Sequence, residues 1–494
     1  MPKRVSPPEL TLSERPNGST LTRWLHDELR RAILEGRLKS GTRVPASRDF
    51  ARHYKLSRGT VVTAFEQLGA EGFLQSRVGA GTWVRELPAA RRSGKPGPEI
   101  RILPSPLQGL SFVSPARPFR CHEPALGEFP IKTWARLWSR RLRRASPSSL
   151  AERDPRGHRP LRETLADYLA AARSVKCTPE QIVIVSGVQQ ALDLLARVLV
   201  KPGERVWIED PGYFGAVSAF RNAGASVVPV PVDEHGLSVR AGRRIAPHAK
   251  AAYLTPAHQF PLGALMSVER RLEVLSWARE AGAFLIEDDY DGEYRFQGRP
   301  VPALQSLDRD NSVIFVGGFN KLLFSSLRVG YMVLPPTLVD PILRFRFDLD
   351  QNSVGFEQSV LCDFIAEGHM SRHIRRMRDL YAERLAVLRE ESQRHLDGLV
   401  EIPAIKAGLF TVGYLRNGIS SSLAEAAAAK YGVETMGLHR FTLRRSDPGG
   451  LLLGFAAFDE TQIRRAVVTL QAALHYASKS LSQDHGDYRE EIAV

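Results

Sequence analysis

Cysteine is nearly missing from this sequence: Cys121, Cys177 and Cys362 are the only three, far apart and odd in number. No CxxC or Cys/His spacing accompanies them, so neither a disulfide framework nor a structural zinc site is indicated, and a reducing cytoplasm fits. Long apolar runs are also missing. No stretch approaches the roughly 18 consecutive apolar residues of a membrane span, and the basic opening "MPKRVSPPELTLSERPNGS" has no apolar run behind it. The chain therefore reads as soluble and cytoplasmic. No internal repeat and no phosphate-loop glycine pattern occurs.

Basic charge is plentiful and unevenly placed. The formal net charge is +14 over 494 residues. Residues 1–95 hold 4 Lys and 14 Arg against 2 Asp and 7 Glu, a net +9, which favours a polyanionic partner for that end. Hydrophobic content of 43% in a chain of this length is enough for at least two cores.

Periodicity divides the chain. Residues 1–18 read as a flexible N-terminus. In "TLTRWLHDELRRAILEGRLKS", Leu21, Trp24, Leu25, Leu29 and Ile33 form one helical stripe that Gly36 stops. A short helix follows from Ser47. Ser57 then caps a third, with Val61, Phe65 and Leu68 inward and Gly72 at its end, and "FLQSRVGAGTWV" reads as a hairpin around Gly79 and Gly81. Three helices and a glycine-turned hairpin predict a winged helix-turn-helix (α+β) over residues 19–85. Ser57, Arg58, Gly59 and Thr60 open the helix that would enter the major groove of double-stranded DNA. Arg48 on the preceding helix, and Arg77 with Gly79 on the hairpin, would touch phosphates or the minor groove.

Residues 86–118 are rich in Pro, Gly, Ser and Arg and read as a linker. Beyond them, "IVIVSG", "RVWIEDPGY", "AAYLTP", "FLIEDDY" and "SVIFVGG" alternate with helix-length segments. Buried runs in that rhythm predict a mostly parallel sheet covered on both faces, within an α/β domain over 119–477 that ends in a smaller α/β subdomain. Residues 478–494 are polar and read as a disordered tail.

The second domain carries a lysine among apolar neighbours, Lys321 in "GFNKLLFSSLRVGY". An aldehyde cofactor such as pyridoxal 5′-phosphate (PLP) needs an amine, a carboxylate for its ring nitrogen, a donor for its phenolic oxygen, a stacking ring and a phosphate cradle. Lys321, Asp288, Tyr290, Tyr213 and the helix N-terminus at Gly187, Val188 and Gln189 supply these in turn, each next to a predicted strand, with Arg328 as a further phosphate ligand. The acids of "LIEDDYDGEYRF" also admit a magnesium site.

The segment Leu21 to about Val84 closely resembles the winged-helix domain of the GntR family, and about Phe119 to His475 resembles the fold-type-I aminotransferases. Their combined order looks like the MocR family of PLP-binding transcriptional regulators. "DPRGHRPLRETLADYL", "VSGVQQALDLLARVL", "EDPGYFGA", "TPAHQFPLG", "EDDYDGEY" and "SLRVGY" carry that resemblance. It implies PLP held as a Schiff base on Lys321, Asp288 at the ring nitrogen, Tyr290 at the phenolic oxygen, and His258 and Gln259 lining the same pocket. A homodimer is implied too.

Three positions depart from the family pattern. Asn320 replaces a common Ser before the lysine. Glu152 stands where a tyrosine contributed to the partner's phosphate site is usual. Leu452, in "GGLLLGFAAF", stands where active aminotransferases place the arginine that clamps the substrate carboxylate; losing that pair costs about 1.5–3 kcal/mol of amino-acid binding. Arg440, Arg444 and Arg445 are near enough in sequence to substitute. The resemblance thus implies a transcription regulator that senses PLP or an amino compound and is not a physiologically active enzyme. Two alternatives stay open, an active PLP-dependent aminotransferase with an accessory reader and a DNA-binding scaffold without cofactor.

Overall fold

A computed structural model describes residues 12–16, 18–77, 81–86, 116–147, 151, 154–298, 300–349, 355–416, 418–443 and 449–490. The chain divides into two compact units, residues 1–103 and 104–494.

In the first unit, helix α1 (Leu21–Leu34) leads through strand β1 (Arg43–Val44) to α2 (Ser47–His53) and α3 (Arg58–Ala70). A hairpin of β2 (Leu74–Arg77) and β3 (Gly81–Val84) follows, giving a sheet in the order β1-β3-β2. Leu25, Leu29 and Ile33 of α1 pack with Phe50 of α2, Val61 and Leu68 of α3, and Leu74 and Val84 of the hairpin. The stripe expected on α1 loses only Leu21, which is exposed; Trp24 packs half-buried against the core while its indole N–H reaches the Ser13 carbonyl at 3.1 Å. β1 was not anticipated. Two residues between Thr42 and Pro45 carry too little pattern to announce a strand.

The second unit is built on an eight-stranded sheet. Its strands are β4 (Ile182–Val185), β5 (Arg205–Asp210), β6 (Ser226–Asp233), β7 (Gly236–Leu237), β8 (Ala251–Leu254), β9 (Phe284–Asp289), β10 (Val313–Gly318) and β11 (Gly330–Val333). Their order is β4-β11-β10-β9-β8-β5-β6-β7. Strands β10, β9, β8, β5 and β6 run parallel, whereas β11 enters antiparallel between β4 and β10. Strands β8 and β10 are buried throughout, and β5 and β9 beyond their first residue, as Val- and Ile-rich runs require when helices cover both faces.

Three strands of this sheet, β6, β7 and β11, were not foreseen. β6 carries Pro229 and Pro231, which argue against a central strand. Its outer neighbour β7 pairs only with Val232 and Asp233, so the proline-bearing stretch lies at the sheet edge, where proline is tolerated. β11, the stretch Gly330–Val333, closely follows the Lys321 turn and reads as part of that loop. A four-stranded antiparallel sheet, β12 (Val400–Glu401), β13 (Phe410–Leu415), β14 (Met436–Gly437) and β15 (Gly450–Gly454), ordered β12-β13-β15-β14, forms the smaller subdomain. The last helix, Glu460–Glu490, runs past residue 477 into the segment read as a disordered tail, which holds no proline to stop it.

Candidate functional site

Helix α3 begins as its sequence requires. Ser57 accepts a hydrogen bond from the Thr60 amide at 3.1 Å, and the two hydroxyls lie 2.8 Å apart. Thr60 is thus engaged in the cap. Arg58 and Gly59 are exposed at the first turn, with Arg48 exposed on α2 and Arg77 exposed at the end of β2. Arg58, Arg48 and Arg77 make no ion pair among the described residues, whereas Arg30, Arg37 and Arg52 each face an acid. Long unpaired cations at the start of a capped helix and on the adjoining strand suit phosphate oxygens. Gly79 lies outside the described residues.

In the second unit the C-terminal ends of β4, β5, β8, β9 and β10 converge on a cavity of about 370 Å³. Lys321, three residues beyond β10, places its Nζ 4.1 Å from the centre of the Tyr290 ring. Burial holds its ammonium below the ordinary lysine range, against the pull of Asp288 and Asp291. Asp288, at the end of β9, accepts the Tyr253 hydroxyl at 2.6 Å through Oδ2, and its Oδ1 is buried without a partner among the described residues. Burial pushes this carboxyl up to about 6, although Tyr253 and Lys321 oppose the shift.

The Val188–Leu199 helix points its first turn at the same cavity. Its N-cap, Gly187, has φ +123° and no side chain to cap the free amides, so those donors stay available to an anion. Gln189 turns its amide aside, donating to the Gly215 carbonyl at 3.0 Å and receiving the Tyr213 hydroxyl at 3.3 Å, which fixes the Tyr213 ring on the wall. Arg328 sits on this wall in a left-handed conformation, φ +52°, uncommon for a side-chain-bearing residue and frequent at functional sites. Asn320 is exposed on the same wall.

The five acids around β9 do not share a focus. Asp289 binds Arg173 through both oxygens, at 2.5 and 3.0 Å. Glu287 accepts the Leu304 and Gln305 amides, Asp291 pairs with His258 at 3.0 Å, and Glu293 receives the Tyr168 hydroxyl. Asp288 alone lines the cavity. Among the described residues no three His, Cys, Asp or Glu side chains converge on a point that a metal ion could occupy.

Two residues expected on the wall stand behind it. His258 is buried with Asp291 and with the Tyr290 hydroxyl, 3.0 Å from its Nδ1. Gln259 spends its amide on the Pro211 and Phe260 carbonyls. Phe260 forms the wall in their place. Arg440 does not reach the cavity either, because Glu425 holds its guanidinium at 2.7–2.8 Å. Glu152, Arg444 and Arg445 lie outside the described residues. Leu452 is fully buried in an apolar cluster with Cys121, Phe260, Tyr290 and Phe441.

Other wall residues were not anticipated. Tyr253 comes from the middle of a strand buried along its whole length, where no alternation marks the face toward a site. Arg120, Cys121, His122 and Glu123 come from the segment entering the unit, and Glu434, Thr435 and Met436 from the approach to β14. "FRCHEP" and "VETMG" contain no motif spacing, and only the fold brings them together.

The donor set fits PLP. An orphaned buried carboxylate oxygen suits a protonated ring nitrogen, an amine with a lowered pKa suits an aldehyde, and an uncapped helix start suits a phosphate.

Residues 21–84 match the bacterial regulatory proteins of the gntR family, and residues 128–470 match aminotransferase class I and II. The probable rhizopine catabolism regulatory protein MocR of Rhizobium meliloti is 39% identical over 460 residues, covering 91% of this chain and 93% of that one. The HTH-type pyridoxine biosynthesis transcriptional regulator PdxR of Corynebacterium glutamicum is 29% identical, covering 91% and 95%. Among solved structures, the α-aminoadipate aminotransferase LysN of Thermus thermophilus, complexed with N-(5′-phosphopyridoxyl)-L-leucine, superposes with a TM-score of 0.67. It is 28% identical and covers 73% of this chain and 92% of that one. With a gntR-type reader and a class I and II aminotransferase-like domain in one chain, and a regulator of that build similar over nine-tenths of its length, this protein belongs to the MocR family.

Proposed function

We propose that this protein is a transcription regulator that holds PLP on Lys321 and reads an amino compound through it, altering the binding of its winged helix to operator DNA. The observation that carries this reading is the meeting of Lys321, the unpartnered Asp288 oxygen and the uncapped Gly187 helix start on one cavity wall. When bound, PLP would supply an aldehyde that condenses reversibly with primary amines and a ring that withdraws electrons. Asp288 would keep the ring nitrogen protonated, and Tyr290 would face the phenolic oxygen. Tyr213 would cover the ring. Gly187, Val188, Gln189 and Arg328 would bind phosphate, with Asn320 beside them. His258 and Asp291 would orient Tyr290 from behind.

The cavity wall is poorly made for ordinary transamination. Leu452 offers no charge and Arg440 is committed to Glu425, so among the described residues neither position supplies an arginine for an α-carboxylate. Fold-type-I domains pair, so a homodimer would present two readers to two half-sites. An amine that favours one arrangement of the protein over another would shift operator affinity by its differential binding alone.

The test is the visible absorption spectrum of the purified protein with added PLP, beside Lys321→Ala. A band in wild type that the variant lacks is the expected result. A band of equal strength in both, or none in either, would refute the assignment of Lys321.

A further inference from the structure

The charged part of the cavity wall not assigned to the cofactor lies in two segments, Arg120–Glu123 and Glu434–Met436. Its single guanidinium is already committed. Arg120 donates from Nε to Glu434 Oε1 and from Nη2 to Glu434 Oε2, both at 2.7 Å, and its Nη1 lies 3.9 Å from Glu123. Two carboxylates against one guanidinium leave this wall with a net negative charge. The one other arginine on the described wall is Arg328, assigned above to the phosphate.

The remaining groups add no positive charge. Burial between Phe260 and Phe410 keeps His122 neutral, and its Nδ1 is buried with no partner among the described residues. Leu452 packs under the wall in the apolar cluster. A carboxylate arriving here would meet like charge and, among the described residues, no available cation, at a cost in affinity. An ammonium or hydroxyl group would instead meet carboxylate oxygens with unused lone pairs.

We infer that the compound read by this pocket is a primary amine without a carboxylate, whose far end bears an ammonium or hydroxyl group received by Glu434 and Glu123. This rests on the assignment of PLP to Lys321, and the tests of the two separate cleanly. The PLP-loaded full-length protein is titrated with 1,5-diaminopentane and with 5-aminopentanoate, which differ only in the end group, while the visible band is followed. The diamine is expected to perturb the band at a concentration at least about tenfold lower, the ratio that one charge-assisted contact accounts for. Equal response, preference for 5-aminopentanoate, or response to neither with the band present overturns the inference. No band before any amine is added sinks the cofactor assignment, and this inference with it.

A variant checks the cause. Glu434→Gln releases Arg120 from its bidentate partner and is expected to move the preference toward 5-aminopentanoate by about tenfold or more. Glu123→Gln, which leaves that pair in place, is expected to move it the same way by less. An unchanged preference in both variants, with the band retained, would remove these residues from ligand selection.

Discussion

Asp288 shows how one side chain can be held ready at a cost. An unfolded Asp loses its proton near 3.8, but burial in the cavity wall raises this carboxyl to about 6. Between those values the folded chain keeps a proton that the unfolded chain has released. Stability from this group is therefore undiminished below the unfolded value and is lost as the pH rises through the folded one. In the cofactor-free protein, Asp288→Asn is expected to gain on wild type across that window, by roughly 3 kcal/mol at most, and then to level off. Urea midpoints of both proteins from about pH 4 to about pH 8 measure it. A difference that stays constant with pH would contradict the account. The residues proposed to hold the cofactor were legible one by one, since an amine, an acid and a phenol near strand ends are chemically distinctive. Tyr253 and His122 were not, because their importance lies in which neighbour they touch.

Among the elements, the capped helix α3 makes the sharpest claim. Arg58 is exposed and unpaired among the described residues, and its loss removes a charge without removing a fold contact. Arg58→Ala is expected to weaken binding to an operator selected from random duplexes and to lower the salt slope by about 1, with the visible PLP band unchanged. Fluorescence anisotropy at several salt concentrations reads both quantities. Equal affinity for variant and wild type would remove α3 from the interface.

Elements also show where pattern reading succeeds and stops. The five predicted strands appear as β4, β5, β8, β9 and β10, because Val- and Ile-rich runs between helix-length segments have few other solutions. β6 and β11 escaped for opposite reasons. Pro229 and Pro231 gave a local signal against β6 that its place in the sheet overrides, and β11 had no boundary separating it from the Lys321 turn. The Leu21 position of α1 fitted the helical period yet has no core above it, whereas Trp24 packs half-buried at the core's edge. Periodicity reports which face could be buried, not how far the core extends.

For the whole molecule, two compact units each close their own core. Calorimetry of the intact chain is expected to resolve two transitions, with PLP raising only the one that belongs to the larger unit. Ligand at a hundred times its dissociation constant adds roughly 2.7 kcal/mol to the unit that binds it. A single transition, or equal shifts in two, would show that the units do not unfold independently.

The segment that enters the larger unit gives the Arg120 ion pair a mechanical meaning. Residues 118 and 119 are stitched to the small subdomain by backbone bonds, Glu434 N–H to the Pro118 carbonyl at 3.0 Å and Gly454 N–H to the Phe119 carbonyl at 2.9 Å. Arg120 follows at once, gripping Glu434 from inside the cavity wall. A pull along the chain from its N-terminal side is borne first by these bonds, as a mooring line is borne by its cleat. A ligand received at Glu434 would draw on the same few contacts that tie the incoming chain to the small subdomain.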